Sequence, residues 1–140
     1  VCSSDLAILN GVPPNAIRDV WGVCKIYETY VGAKEFQGLD PELDLIREVG
    51  EEYGATTGRA RQTNWLDLDI LKKASKINGV TKIVMNKIDI LDEVQHWKLY
   101  EGINALEFSS GESMRSYIRE YMEESIPNMD ILFSGNKEVI

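Results

Sequence analysis

The stretch Ala74–Asp89, "ASKINGVTKIVMNKID", holds a helix end, a strand and a polar loop in succession. Leu66, Ile70, Leu71, Ala74 and Ile77 recur at helical spacing and predict one apolar face, and Asn78-Gly79 supplies a stop of the left-handed-cap type. Val80 to Met85 is short, mostly apolar and β-branched, as a strand covered on both sides should be. Asn86 to Asp89 is polar again. A helix that feeds a buried strand ending in a polar loop is the unit of an α/β fold, here expected to be part of a mostly parallel sheet flanked by helices.

The same unit recurs on both sides. Pro13-Pro14-Asn15 followed by Ile17, Val20 and Trp21 predicts a short helix, and Val23 to Val31 alternates well enough to predict one strand. Asp40-Pro41-Glu42 reads as an N-cap, a first-turn proline and a first-turn acid, ahead of Leu43, Ile46 and Val49, with the helix ending near Tyr53. Downstream, a strand is expected around Trp97 to Tyr100. Ser110 to Glu112 caps a helix bearing Met114, Tyr117, Ile118 and Tyr121, which Pro127 ends before a strand from Asp130 to Phe133.

Composition narrows the function. With 140 residues, 44% of them hydrophobic, the chain can bury one domain-sized core. Its 15 basic and 23 acidic residues leave a net charge of -8, which repels phosphate backbones and anionic lipid, so neither nucleic acid nor membrane is expected as a partner. Cys2 and Cys24 make no CxxC clip and no disulfide framework, which suits a reducing cytoplasm. His96 is read as structural rather than as a metal ligand. No apolar run is long enough for a membrane span.

Two loops carry the chemistry. Asn86-Lys87-Ile88-Asp89 follows a strand, where ligands gather in such sheets. An ionised Asp only accepts hydrogen bonds, and guanine's N1–H and N2–H₂ offer it two adjacent donors, while a Lys stem can lie along the base. Adenine lacks that donor pair and would leave the carboxylate unpaired at a cost of about 1–3 kcal/mol. The second loop, "GATTGRAR" (Gly54 to Arg61), lacks the spacing of a P-loop. Its glycines admit close backbone approach, Thr56 and Thr57 add hydroxyls, and Arg59 and Arg61, two apart in an extended loop, point to one side. Paired guanidiniums suit a ligand with two carboxylates, or with a carboxylate and a phosphate or ribose. A solvated loop whose arginines pair with the chain's own acids is the other reading of these residues.

At these residues the chain resembles the adenylosuccinate synthetase family. "GATTGRARQTNWLDL" (Gly54 to Leu68), "INGV" (Ile77 to Val80), "NKIDILD" (Asn86 to Asp92) and "SG" (Ser134, Gly135) follow in the family's order and with similar spacing. The resemblance runs from about Pro14 onward and corresponds to the carboxyl-terminal part of that enzyme. Residues 7–140 are accordingly expected to form that part of a single domain, while "VCSSDL" (1–6) reads as a translated sequencing-adapter end without function.

The resemblance implies a GTP-dependent ligation of L-aspartate to inosinate (IMP), giving adenylosuccinate, GDP and phosphate. GTP would phosphorylate the 6-oxygen, and the aspartate amine would then displace phosphate. Thr56, Thr57, Arg59 and Arg61 are implied to hold aspartate, and Val31, Gly32 and Arg59 to border the acceptor nucleotide. Arg61, Lys87, Ile88, Asp89, Ser134 and Gly135 are implied to bind GTP. The phosphate loop, the catalytic Asp and His and the Mg2+ ligands of the family lie amino-terminal to this segment, so the chain alone is expected to be inactive and to hold no metal. The full-length protein is implied to be a cytoplasmic homodimer.

Some positions depart from the family pattern. Thr29-Tyr30-Val31-Gly32 stands where members usually have T-R-V-G, Asn64-Trp65 where they have G-W, Ala33 to Gln37 in place of G-P-F-P-T-E, and Phe133 in place of a common Ser. Three alternatives stand beside this reading, the first two being a phage-type relative joining aspartate to deoxyguanylate (dGMP), and a non-catalytic guanine-nucleotide-binding module using only Asn86 to Asp89. A purely structural α/β remnant with both loops solvated is a third.

Overall fold

A computed structural model of the chain describes residues 3–135. Of the amino-terminal hexapeptide, Val1 and Cys2 lie outside the described residues, and Ser3–Leu9 forms the short helix α1. Two sheets follow. The first contains β1 (Trp21–Lys25), β4 (Lys82–Asn86) and β7 (Asp130–Phe133) in the order β1-β4-β7, all parallel. The second contains β2 (Tyr27–Tyr30), β3 (Gln62–Asp67), β5 (Trp97–Glu101) and β6 (Asn104–Phe108) in the order β2-β3-β5-β6, with β3 and β5 parallel and the outer pairs antiparallel. The helices are α2 (Glu42–Val49), α3 (Leu68–Ile77), α4 (Ile88–Val94) and α5 (Gly111–Ser125). The α/β class is as expected, and α5 and β7 form where their cap and periodicity place them.

The expected strand from Val23 to Val31 is instead two strands in different sheets. Ile26 N–H still bonds the Asn86 carbonyl at 3.0 Å, extending the β1–β4 ladder, and the next residue, Tyr27, pairs with Trp65 of β3. One residue thus carries the chain across, and both Ile26 and Tyr27 are buried. The expected helix before it is only a 3₁₀ turn at Pro14–Ala16, with Ile17 extended (ψ 109°) and Trp21 already in β1.

Two further readings are corrected. Asp40 does not cap α2: its carboxylate accepts the Trp65 indole N–H at 2.7 Å, since burying that ring requires a partner for its only donor. Leu66 belongs to β3 rather than to a helix face, and α3 begins after Asp67, whose side chain accepts Asp69 and Ile70 N–H at 2.9 and 3.1 Å. The rest of that face is largely uncovered, with Ile70 58% and Ile77 73% exposed.

The core lies between the helices and the sheets. Leu43 and Ile46 of α2, Trp65 and Leu99 of the second sheet, Met85 of the first, and Met114, Ile118 and Met122 of α5 are essentially inaccessible. In α5 those three recur four residues apart, one stripe of the helix. This packing sets α2 beside α4, and thereby sets the two polar loops at their ends.

Candidate functional site

The arginine loop starts where α2 stops. Gly50 closes the helix, and Glu51 turns the chain with φ 51°. A short two-stranded stem then rises: Arg61 N–H bonds the Glu52 carbonyl at 2.9 Å, Tyr53 and Ala60 form a bridge, and Gly54 N–H bonds the Arg59 carbonyl at 2.8 Å. Gly58 N–H returns to the Gly54 carbonyl at 2.8 Å, with Gly58 at φ 64°, a conformation that favours glycine. Ala55 to Gly58 form the tip. Thr56, Thr57 and Arg59 are exposed there, and the Thr57 hydroxyl accepts Arg59 N–H at 3.4 Å.

The two arginines of the loop are not equivalent. Arg59 makes no side-chain hydrogen bond or ion pair among the described residues, whereas Arg61 NH1 donates to Glu52 Oε2 at 2.9 Å. Glu52 is 2% exposed, and its Oε1 also accepts from Lys25 Nζ and from the Tyr27 hydroxyl, each at 2.7 Å. Burial pushes the Glu52 carboxyl up, but the Lys25, Tyr27 and Arg61 donors outweigh it and hold it below the usual carboxylate range. Burial, reinforced by the Glu52 carboxylate and by Asp89, pushes the Tyr27 hydroxyl strongly up, so it remains a protonated donor. Cys24 is a free thiol that burial pushes up to about 12, which makes it a packing residue rather than a nucleophile.

The Asn86 to Asp89 motif follows β4. Lys87 sits at φ 66° and opens α4, so Asp89 lies in that helix's first turn and is exposed. Lys87 Nζ donates to the Gly50 carbonyl at 2.8 Å, a cation at the carboxyl end of α2 where the helix dipole favours it. Ser134 and Gly135 complete this corner. Ser134 N–H bonds the Met85 carbonyl at 2.8 Å, and Ile88 N–H bonds the Ser134 carbonyl at 3.4 Å. A Cβ on Gly135 would stand 3.2 Å from Asp89 Cβ and 3.0 Å from Ile88 Cγ1, so the backbone is laid directly on the motif.

Val31 and Gly32 leave the end of β2, where Tyr30 is paired with Gln62. Gln62 pins the segment that follows, accepting Phe36 N–H at 2.6 Å and donating to the Lys34 carbonyl at 2.7 Å. Its neighbour Arg61 therefore shares a stem with the Val31–Gly32 corner. The structure joins Lys87, Ile88, Ser134 and Gly135 directly, and joins Lys87 to the base of the arginine loop. Among the described residues, no hydrogen bond links the tip Thr56–Arg59 to Lys87–Asp89.

Sequence reasoning missed Lys25, Tyr27, Glu52 and Gln62. A signal for Glu52 existed: an acid beside an arginine-rich loop is a natural partner for it. Nothing local distinguished it from Glu51. No group of three or more His, Cys, Asp or Glu side chains converges among the described residues.

Lys25, Asn86-Lys87 and Ser134-Gly135 all lie at or just beyond the carboxyl ends of β1, β4 and β7, so the chain is an α/β protein that gathers polar loops where parallel strands end. The adenylosuccinate synthetase family model matches residues 1–125. The chain belongs to the adenylosuccinate synthetase family. It is 44% identical over 94 residues to an adenylosuccinate synthetase of Yarrowia lipolytica, a match covering 66% of this chain and 22% of that protein. With that of Trichoplax adhaerens it shares 37% over 109 residues, covering 76% and 24%. The fold matches a solved structure of fully ligated adenylosuccinate synthetase from Plasmodium falciparum with a TM-score of 0.73 at 20% identity, over 90% of this chain and 39% of that one. The chain thus spans less than a quarter of the length of these two sequence relatives. No helix among the described residues is long and apolar enough to cross a membrane.

Proposed function

We propose that this segment serves a ligase that uses GTP to join L-aspartate to inosinate, in the purine route to AMP, and that it supplies the aspartate loop and the guanine clamp. Thr56, Thr57, Arg59 and Arg61 hold the amino acid, with Val31, Gly32 and Arg59 bordering the acceptor nucleotide. Lys87, Ile88, Asp89, Ser134 and Gly135 hold guanine, and Arg61 lies toward the GTP side. Activation of the 6-oxygen by phosphate and its displacement by the aspartate amine need groups this chain does not provide, so the segment alone turns over nothing.

The observation that carries this reading is the 2.8 Å bond from Lys87 Nζ to the Gly50 carbonyl. It fastens the guanine-type motif to the helix end from which the arginine loop grows, so the two motifs belong to one assembly. Exposure supports it too: Asp89 and Arg59, the two groups with the most to offer a ligand, are both solvent-facing.

The test is calorimetry and kinetics on a full-length enzyme carrying this segment. Arg59→Leu is expected to abolish aspartate use while sparing GTP binding, because it removes a guanidinium that no side chain or carbonyl among the described residues uses. Asp89→Asn should weaken GTP relative to XTP by about tenfold or more, the cost of mismatched donors and acceptors in a desolvated site. Unchanged aspartate kinetics in Arg59→Leu would overturn the loop assignment, as would GTP- and aspartate-dependent product from the 140-residue chain overturn its inactivity. Assays with inosinate and with deoxyguanylate fix the acceptor.

A further inference from the structure

A carboxylate 2% exposed is costly to bury, and it is retained where its partners repay the desolvation. Glu52 draws those partners from three places: Lys25 at the end of β1, Tyr27 at the start of β2, and Arg61 on the loop stem. Its own backbone is fixed as well, with Glu52 N–H on the Arg47 carbonyl at 2.9 Å and its carbonyl receiving Arg61 N–H at 2.9 Å. Glu52 and Arg61 are therefore joined twice, through main chain and side chain. Only NH1 of Arg61 is engaged by the carboxylate, and the side chain remains 33% exposed, which leaves other guanidinium donors for a ligand. Within the hydrogen-bonded cluster itself, Lys25 and Arg61 against Glu52 leave one net positive charge, the sign a dicarboxylic amino acid requires.

From this geometry we infer that Glu52 is a positioning residue for the amino-acid substrate: it anchors one edge of Arg61 to both sheets so that the other edge meets a substrate carboxylate at a fixed place. The inference rests on the proposed aspartate role of the loop. Pre-organisation of this kind lowers the ordering cost of a flexible arginine at the moment of binding. Its signature is therefore a change in aspartate KM larger than any change in GTP KM, since Arg61 also lies toward the GTP side.

Steady-state kinetics of the full-length enzyme with Glu52→Gln, Glu52→Asp, Arg61→Ala and Arg59→Leu test it. Glu52→Gln should raise the aspartate KM about tenfold, as expected for a charge-assisted bond made neutral. GTP KM should rise less than aspartate KM, and Glu52→Gln added to Arg61→Ala should change aspartate KM by less than about twofold, because the two act as one unit. Should Glu52→Gln fail to fold, Glu52→Asp keeps the charge but withdraws it by one methylene, and is read the same way. Equal increases in aspartate and GTP KM, or additive effects in the double variant, overturn the positioning role and leave Glu52 a purely structural anchor. If Arg59→Leu raises aspartate KM and neither Glu52 variant does, the positioning inference alone fails. If Arg59→Leu leaves it unchanged, the aspartate reading of the loop fails with it.

Discussion

Gly50 has an ordinary helical φ of -75°, so it is space rather than conformational freedom that the position supplies. A Cβ there would stand 2.6 Å from the Tyr27 hydroxyl and 2.7 Å from the Ile46 carbonyl, and the hydroxyl cannot yield without leaving Glu52. Gly50→Ala is expected to destabilise the fold by about 1–3 kcal/mol, the usual cost of overpacking, as read from the midpoint of urea unfolding. Glu28 has the opposite character. Burial pushes its carboxyl above the usual range, the Asp67 N–H it accepts at 3.4 Å lowers it, and the Asp67 charge raises it again. Its folded value exceeds its unfolded one, so ionised Glu28 costs stability at neutral pH, and that cost vanishes once pH falls below the ordinary value of 4.5. Glu28→Gln retains the acceptor and removes the charge. It should raise Tm at pH 7, with a gain that shrinks to nothing as thermal melts are taken below that value.

At the scale of elements, α3 shows how a side chain decides a boundary. Asp67 ends β3 and accepts the first free N–H groups of the helix, so Asp67→Ala should cost about 1 kcal/mol in chemical denaturation, with the loss of helical signal beginning at lower denaturant. The same element marks what was legible. Asn78-Gly79 stops the helix as read, with Gly79 at φ 60°, and Ser110 caps α5 by accepting Ser113 N–H at 3.2 Å. Caps and stops act over three or four residues and are visible in sequence. Strand β3 was not, because "QTNWLD" mixes Leu66 into what looks like the helix's apolar period, and only its pairing with Tyr27–Tyr30 and with β5 makes it extended. Strand β6 was missed for a related reason: it is held by β5 across the turn at Gly102 and buries little of its own surface.

Across the whole molecule, β1 and β2 are both edge strands, and beside them runs a half-covered apolar surface. Two open hollows of about 520 and 540 Å³ share Cys24, Leu71 and Ala74, and Trp21 and Val23 project beside them with 52% and 69% exposure. A surface of this kind binds hydrophobic reporter dyes. The 140-residue chain should enhance such a dye's fluorescence while still folded, and Val23→Lys should reduce that enhancement without lowering Tm, because Val23 contributes little to the core.

The sequence by itself determined the α/β class, the stop of α3, both ends of α5, the family and the two polar loops, since each of these rests on spacing within a dozen residues or on a motif whose residues are adjacent. Tertiary structure decided the rest. That one strand would become two at Ile26, that Glu52 rather than Glu51 would be buried beneath Arg61, and that Lys87 would reach back to Gly50 all depend on where folded backbones bring distant donors and acceptors. A hydrogen bond is made or lost within a few tenths of an ångström, and no local pattern specifies a distance between residues 37 positions apart.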